Sequence, residues 1–374
     1  MPERTRTEDI EMSDFKWGTL LIMPALPGED HGQIVRDSVA YARASEEMGF
    51  DDVWTLEHHF TGYGVCGSAL TMASYILGHT KKIKVGTAVC VVPLQHPVRL
   101  AEKVNMLDAM SDGRFLFGVG RGLFVKDFTV FGTDIEYNRE RMEETMDIVN
   151  KVWKDGSCGY KGKYYDLPDV EVFPRLQSKK MPVYAAVNSS SSIEWAARNG
   201  VSLMLSHFQD DETRRSQVDL HAEVAAEYGY DPDSFDHVIS SMAGAGKNSQ
   251  EIRNASRKRL SWWQSEFFRA TELFTEENLK MRGFEWYKRR WESEAIGGRF
   301  PIEERVDRDL ADNPVGSVQE CVDRLSKTIE ITGVKHYMFG FEAVEGGSGP
   351  ILESMQEFKE EVLPKVEGVS AKAA

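Results

Sequence analysis

The sequence predicts a closed (β/α)8 barrel, the TIM-barrel arrangement. Three observations predict it: short apolar runs alternate with longer amphipathic stretches from Trp17 onward, eight such runs occur, and several are apolar at nearly every position. Strands covered by helices on one face and by a filled barrel on the other read in that way. The rival, a doubly wound open sheet, lacks support because no G-x-G-x-x-G follows the first run.

Strands are expected at Trp17 to Met23, Asp52 to Leu56, Ile83 to Val89, Phe115 to Val119, Pro182 to Val187, Val201 to Ser206, His237 to Ala243 and His336 to Phe341. Helical periodicity lies between them, at Val35 to Met48, Val98 to Met110, Arg139 to Lys154, Ser191 to Asn199, Thr213 to Tyr228, Gln250 to Ala270 and Ser317 to Ile331. Gly113 marks the stop of the Val98 helix. A small-residue stretch from Gly67 to Gly78 reads as a helix that lets others approach closely, either within the chain or between subunits.

With no internal repeat or low-complexity linker, residues 16–366 read as a single barrel. Residues 1–15 read as a flexible polar extension, in which Met12 offers an alternative start, and 367–374 as a flexible tail. The connection from Gly246 to Lys335 is far longer than a βα unit needs, and its charged middle, Thr271 to Asp312, reads as a lid over the active site. Phe284, Trp286, Tyr287 and Trp291 in it would be costly to leave in water.

The 374 residues carry 45 basic and 60 acidic side chains, a net charge of −15. Such a field repels phosphate backbones and anionic lipid, so neither nucleic acid nor a membrane surface is an expected partner. Cys66, Cys90, Cys158 and Cys321 form no C-x-x-C pair, which argues against a disulfide framework or zinc finger and fits a reducing cytoplasm. No apolar leader or 18-residue apolar run is present.

Chemistry concentrates where strands end. The second strand runs into Glu57-His58-His59-Phe60, at the end where barrel enzymes hold their sites. Neighbouring side chains alternate faces, so one histidine points into the barrel mouth and the other packs outward, which weakens a metal reading. The fourth strand ends in Gly118-Val119-Gly120-Arg121-Gly122, a turn whose guanidinium suits a phosphate. The fifth ends at Asn188, where Ser189 to Ser192 open a helix, and a helix N-terminus with added hydroxyls suits an anion. Ordinary capping by one serine is the plainer reading. Because strands four and five are adjacent in a barrel, Arg121 and the serines can bind the same phosphate.

Together these motifs resemble a known family. Gly49-Phe50-Asp51-Asp52-Val53-Trp54 through Phe60, His96-Pro97-Val98-Arg99, Gly113-Arg114-Phe115 through Leu123, Lys126-Asp127-Phe128, Phe131 to Asp134, Glu194 to Ala197, Asn313 to Gly316 and Gly340 to Ala343 occur in the order seen in bacterial luciferase-type flavin monooxygenases, especially the alpha subunit. The resemblance covers nearly everything after residue 15. It implies a (β/α)8 barrel that uses reduced FMN and dioxygen to form a 4a-peroxyflavin and oxidises a small organic substrate such as an aldehyde or ketone. By motif it implies His58 as catalytic histidine, Asp127 as a flavin-proximal acid, and Arg121, Ser189 and Ser192 at the FMN phosphate. It also implies Trp263 near the ring and a cis peptide at Ala88-Val89 beneath it.

Two positions depart from the family pattern. Gly120 stands where luciferases have a reactive cysteine, which is expected to leave more room near the flavin, and Asn188 replaces a glutamate beside the phosphate. These departures put light emission in question more than monooxygenation. The resemblance further implies an NAD(P)H:flavin reductase as source of reduced FMN and a dimer, either a homodimer through the Gly67 to Gly78 and Val98 to Met110 helices or a heterodimer. The alternatives are a luciferase proper, a deazaflavin-dependent dehydrogenase and a non-catalytic flavin-binding subunit. No metal site is expected.

Overall fold

The computed structural model describes residues 14–292, 301–341 and 348–373. Eight parallel strands close on themselves: β1 (Lys16–Leu21), β2 (Asp52–Thr55), β3 (Lys84–Thr87), β4 (Phe115–Gly120), β5 (Val183–Ala186), β6 (Ser202–Leu205), β7 (Val238–Met242) and β8 (His336–Gly340). Each pairs with its sequence neighbours, and β8 closes the ring on β1 with Lys16 beside His336. The expected (β/α)8 fold is therefore the observed one, with strand ends displaced by one or two residues.

Alternation along the strands separates two apolar layers. Val53, Phe115, Phe117 and Leu203 face outward and pack with Ile76, Leu100, Val104 and Val149 from the helical layer. Trp54, Leu116, Tyr184, Met204 and Met338 face inward and fill the barrel. Close strand approach needs Gly118, since a Cβ there would lie 1.7 Å from Thr87 O.

The outer layer is built from α1 (His31–Glu47), α2 (Ala69–His79), α3 (Pro97–Ser111), a short α4 (Val125–Val130), α5 (Asn138–Asp155), α6 (Ser190–Arg198) and α7 (Asp211–Glu227). Their ends are marked in sequence. Asp30 caps α1 by accepting from Gly32 and Gln33 N–H, Pro97 opens α3, and left-handed Asp112 followed by Gly113 closes it.

The long β7–β8 connection holds α8 (Ser249–Thr271), α9 (Glu285–Glu292) and α10 (Ile302–Asp312) before α11 (Val318–Thr332). The middle read as weakly periodic thus contains two helices, and its residues 293–300 lie outside those described. Its aromatics are covered: Phe284 and Tyr287 are buried with Leu273 and Leu279 against Val91, Phe128 and Ile135. After β8 come α12 (Ser348–Glu357), a π-helical turn and α13 (Leu363–Ala373). Residues 367–373, read as flexible tail, are therefore helical, because buried Leu363 and Val366 anchor α13 and Glu367 accepts from Trp17 Nε1 at 2.6 Å. Residues 1–13 of the predicted extension, and Glu342 and Ala343 of the last family motif, lie outside the described residues.

Candidate active site

Just beyond β2, the buried Glu57 carboxylate accepts the N–H groups of Ala69 at 3.0 Å and Val91 at 3.1 Å, which ties the start of α2 and the β3 exit to one side chain. The next residue, His58, turns inward. Its N–H donates to Cys66 O, and its ring lies edge-on to Tyr63 and Phe124, with centroids 4.8 and 5.2 Å away. His58 Nδ1 is buried without a hydrogen-bond partner among the described residues, and a Cβ on Gly64 would lie 2.9 Å from it. Burial of the imidazole, with a smaller contribution from His59, pushes its pKa down to about 3, so the ring is a neutral base at ordinary pH. His59 points the other way, against Phe131 at 4.9 Å, with Nε2 4.0 Å from Glu57 Oε1. The alternation expected of this pair is what the backbone delivers.

Beyond β4, Arg121 donates to Asn138 Oδ1 at 3.4 Å and Gly283 O at 2.9 Å, and lies 5.0 Å over the Phe284 ring. A second guanidinium faces the same place: Arg139, on the first turn of α5, donates to Ser189 Oγ at 3.2 Å. Ser189 occupies the cap position of α6 but makes no side-chain capping bond. Its hydroxyl sits instead 3.0 Å from Ser192 Oγ and 3.3 Å from Ser191 Oγ. Burial, and then the nearby charge of Arg121, lower the Arg139 pKa, with Glu143, Glu140 and Glu285 opposing. Ordinary capping therefore does not account for the Ser189 hydroxyl.

Asn188 links this region to the β7–β8 connection, donating from Nδ2 to Tyr287 Oη at 3.1 Å, and accepts from Gln209 Nε2 at 3.1 Å. On α4, buried Asp127 has Oδ1 without a hydrogen-bond partner among the described residues. Burial, and then the Glu57 charge, raise its pKa to about 7, with Lys126 opposing.

Two neighbouring cavities result. The outer one, about 190 Å³, is lined by His58, Val89, Arg121, Asp127, Ser189 and Ser192, among others. The inner one, about 180 Å³, reaches down the barrel past Ala88, Met204, His207 and Trp263. His58, Ala186 and Asn188 line both. Trp263 donates to Tyr63 O at 3.0 Å and stacks on its ring at 4.5 Å, which ties it to His58. The Ala88-Val89 peptide is cis, as expected. The expectation that Gly120 leaves extra room fails, because the Val89 side chain fills the space beside it.

His58, Ala88, Val89, Arg121, Asp127, Asn188, Ser189, Ser192 and Trp263 thus each line one or both cavities, whereas His59 lines neither. Tyr63, Phe124, Arg139, His207 and Tyr287 were missed. Arg139 read only as a helix start and Tyr287 only as a lid aromatic, and no spacing along the chain joins either to Ser189 or Asn188.

A parallel barrel whose strand C-termini bring two guanidiniums and serine hydroxyls beside an apolar chamber lined by a neutral, half-buried histidine has the layout of an enzyme-like site. The luciferase-like monooxygenase family model matches residues 18–336, and the chain belongs to that family. It is 37% identical over 351 residues, 94% of this chain and 98% of the relative, to the alkanal monooxygenase alpha chain of the Kryptophanaron alfredi symbiont. A monooxygenase from Streptomyces bottropensis superposes with a TM-score of 0.77 at 23% identity, covering 93% of this chain and 99% of that one. The oxygenating constituent of 3,6-diketocamphane monooxygenase from Pseudomonas putida, a type II Baeyer-Villiger monooxygenase solved in complex with FMN, superposes with a TM-score of 0.75 at 19% identity, covering 94% and 98%. The chain is accordingly an oxidoreductase of the monooxygenase type.

Proposed function

We propose that the chain is the oxygenating component of a two-component monooxygenase that takes reduced FMN from an NAD(P)H:flavin reductase and uses dioxygen to oxidise a small organic substrate in the cytoplasm. The observation that carries this reading is that Arg121, Ser189 and Ser192 line a cavity that also reaches His58, with Arg139 donating to Ser189. The donor set suits a phosphate monoester. The rest of that cavity, Val89, Val91, Leu123 and Phe124 among others, suits a flat apolar ring. Arg121, Arg139, Ser189 and Ser192 would hold the phosphate, and Ala88, Val89 and Trp263 would bound the ring. Reduced flavin, when bound, supplies the electrons that activate dioxygen, one oxygen atom going to substrate and the other to water.

The chain's own residues supply the surroundings. His58, neutral and almost enclosed by aromatic rings, can accept a proton from the reacting group and return it. The lid keeps water out through Phe284 and Tyr287, fastened by Asn188 to Tyr287 and by Arg121 to Gly283. Assembly as a dimer fits the exposed apolar side chains of Tyr75 on α2 and of Met106 and Met110 on α3, with a second copy or a related chain as partner.

Rapid mixing of the protein and reduced FMN with oxygenated buffer tests the reading. A flavin species outlasting the oxidation of free reduced flavin supports it, and oxidation indistinguishable from free flavin removes it. His58→Ala should cut substrate oxidation by about 10²-fold or more while leaving flavin affinity within a few-fold. Unchanged coupled turnover would remove His58 from the chemistry.

A further inference from the structure

His207, at the end of β6, meets the inner chamber from the side opposite β2. Its backbone N–H donates to Ser240 Oγ at 3.1 Å, and its Nδ1 lies 3.4 Å from the same oxygen. The Ser240 hydroxyl gives its one proton to Leu205 O at 3.1 Å. It can therefore only accept from the imidazole, which places the ring proton on Nδ1 and leaves Nε2 as a bare acceptor. Nε2 is buried and has no partner among the described residues. Trp263 stacks on the ring at 5.5 Å and Phe208 lies tilted against it at 3.9 Å, which fixes its orientation.

Most of the chamber around it is apolar: Leu20, Ile22, Leu56, Met204, Met242 and Met338. Ser241 also lines it, but its proton goes to Asn313 Oδ1 at 2.9 Å. The volume, about 180 Å³, slightly exceeds the roughly 150 Å³ in which a benzene ring is accommodated. A buried acceptor without a donor is costly unless an occupant supplies one.

We propose that His207 is the specificity-determining acceptor of the inner chamber, and that the chamber takes a ring-sized apolar group bearing one hydroxyl or N–H, of which phenol is the simplest example. Only the word substrate for that occupant rests on the monooxygenase reading. A straight-chain alkanal offers no proton to this nitrogen, so the chamber discriminates against it. Burial pushes the His207 pKa down to about 3, so Nε2 stays an acceptor across the working pH range.

Calorimetric titration of the full chain without flavin, using phenol, toluene and decanal, tests this. Toluene is the more apolar ring, so tighter binding of phenol demands a polar contact. Wild type should prefer phenol over toluene by about tenfold. His207→Phe should abolish the preference while leaving toluene affinity within about threefold, and His207→Gln, which restores an acceptor, should recover part of it. Equal binding of the two rings by wild type, no binding of either, or a preference that survives His207→Phe overturns the proposal. Because no flavin is present, the result is separable from the oxygen-mixing experiment. Phenol preference with no reduced-FMN chemistry would remove the monooxygenase function alone, and the reverse pattern would remove this assignment alone.

Discussion

The Val89 side chain occupies the volume that a Cβ on Gly120 would need: that atom would lie 2.5 Å from Val89 Cγ2. A β-branched side chain has few rotamers in which to retreat. Gly120→Ala should therefore force a shift costing about 1–3 kcal/mol, and adding Val89→Ala should relieve much of it. Denaturant unfolding of wild type, both single variants and the double variant measures the coupling, expected at about 0.5–3 kcal/mol. Additive costs would show that the two positions do not compete for space.

Arg139 reaches Ser189 from a different element than Arg121, so the anion position should depend on both. Arg139→Ala should weaken FMN binding by about 10- to 100-fold, the range for a lost charge-assisted hydrogen bond. Riboflavin, which lacks the phosphate, should bind the variant as it binds wild type. Equal losses for both ligands would mean that Arg139 only supports the fold of α5.

With a pKa of about 7, Asp127 is mainly a carboxylic acid below neutrality and mainly a carboxylate above it. His58, depressed to about 3, stays neutral throughout that range. If the acid form supplies a proton at the site, substrate oxidation should fall as pH rises through about 7. Asp127→Asn, which cannot ionise, should remove that limb. A pH profile of coupled product formation decides it, and an unchanged limb in the variant would assign the titration elsewhere.

The barrel was legible because its rules are local: all eight strands read from apolar runs, and α1, α3 and α5 from periodicity and end signals. The site was legible where function sits on a strand exit, as with His58, Arg121 and Asn188. It was not legible where contacts span distant segments. Arg139 meets Ser189 across 50 positions and Tyr287 meets Asn188 across 99, and only closure of the barrel and folding of the long β7–β8 connection bring them together. The room inferred beside Gly120 failed for the same reason. A missing side chain says nothing about which neighbour fills the gap, here Val89.

At the opposite end of the barrel, His336 joins three strands. Its Nε2 lies 2.8 Å from Asp52 Oδ2 and its Nδ1 3.2 Å from Asp236 Oδ1, while Lys16, Tyr184 and Trp54 complete the bonding of the two carboxylates. Burial opposes protonation of the ring, but Asp52 and Asp236 override it and raise the pKa to about 9. An unfolded histidine titrates near 6.5. The pair of values makes the contribution complete below about pH 6.5, and it is lost as pH rises to about 9. His336→Gln should destabilise the fold by about 3–5 kcal/mol at pH 6, as expected when one member of a buried ionic cluster is removed. The difference from wild type should shrink steadily between pH 6.5 and 9, since the variant has no proton to lose there. Comparing the two proteins at each pH cancels every other titrating group. A stability gap that stays constant across that interval would show that the imidazole is neutral in the native barrel and that packing, not charge, holds this end together.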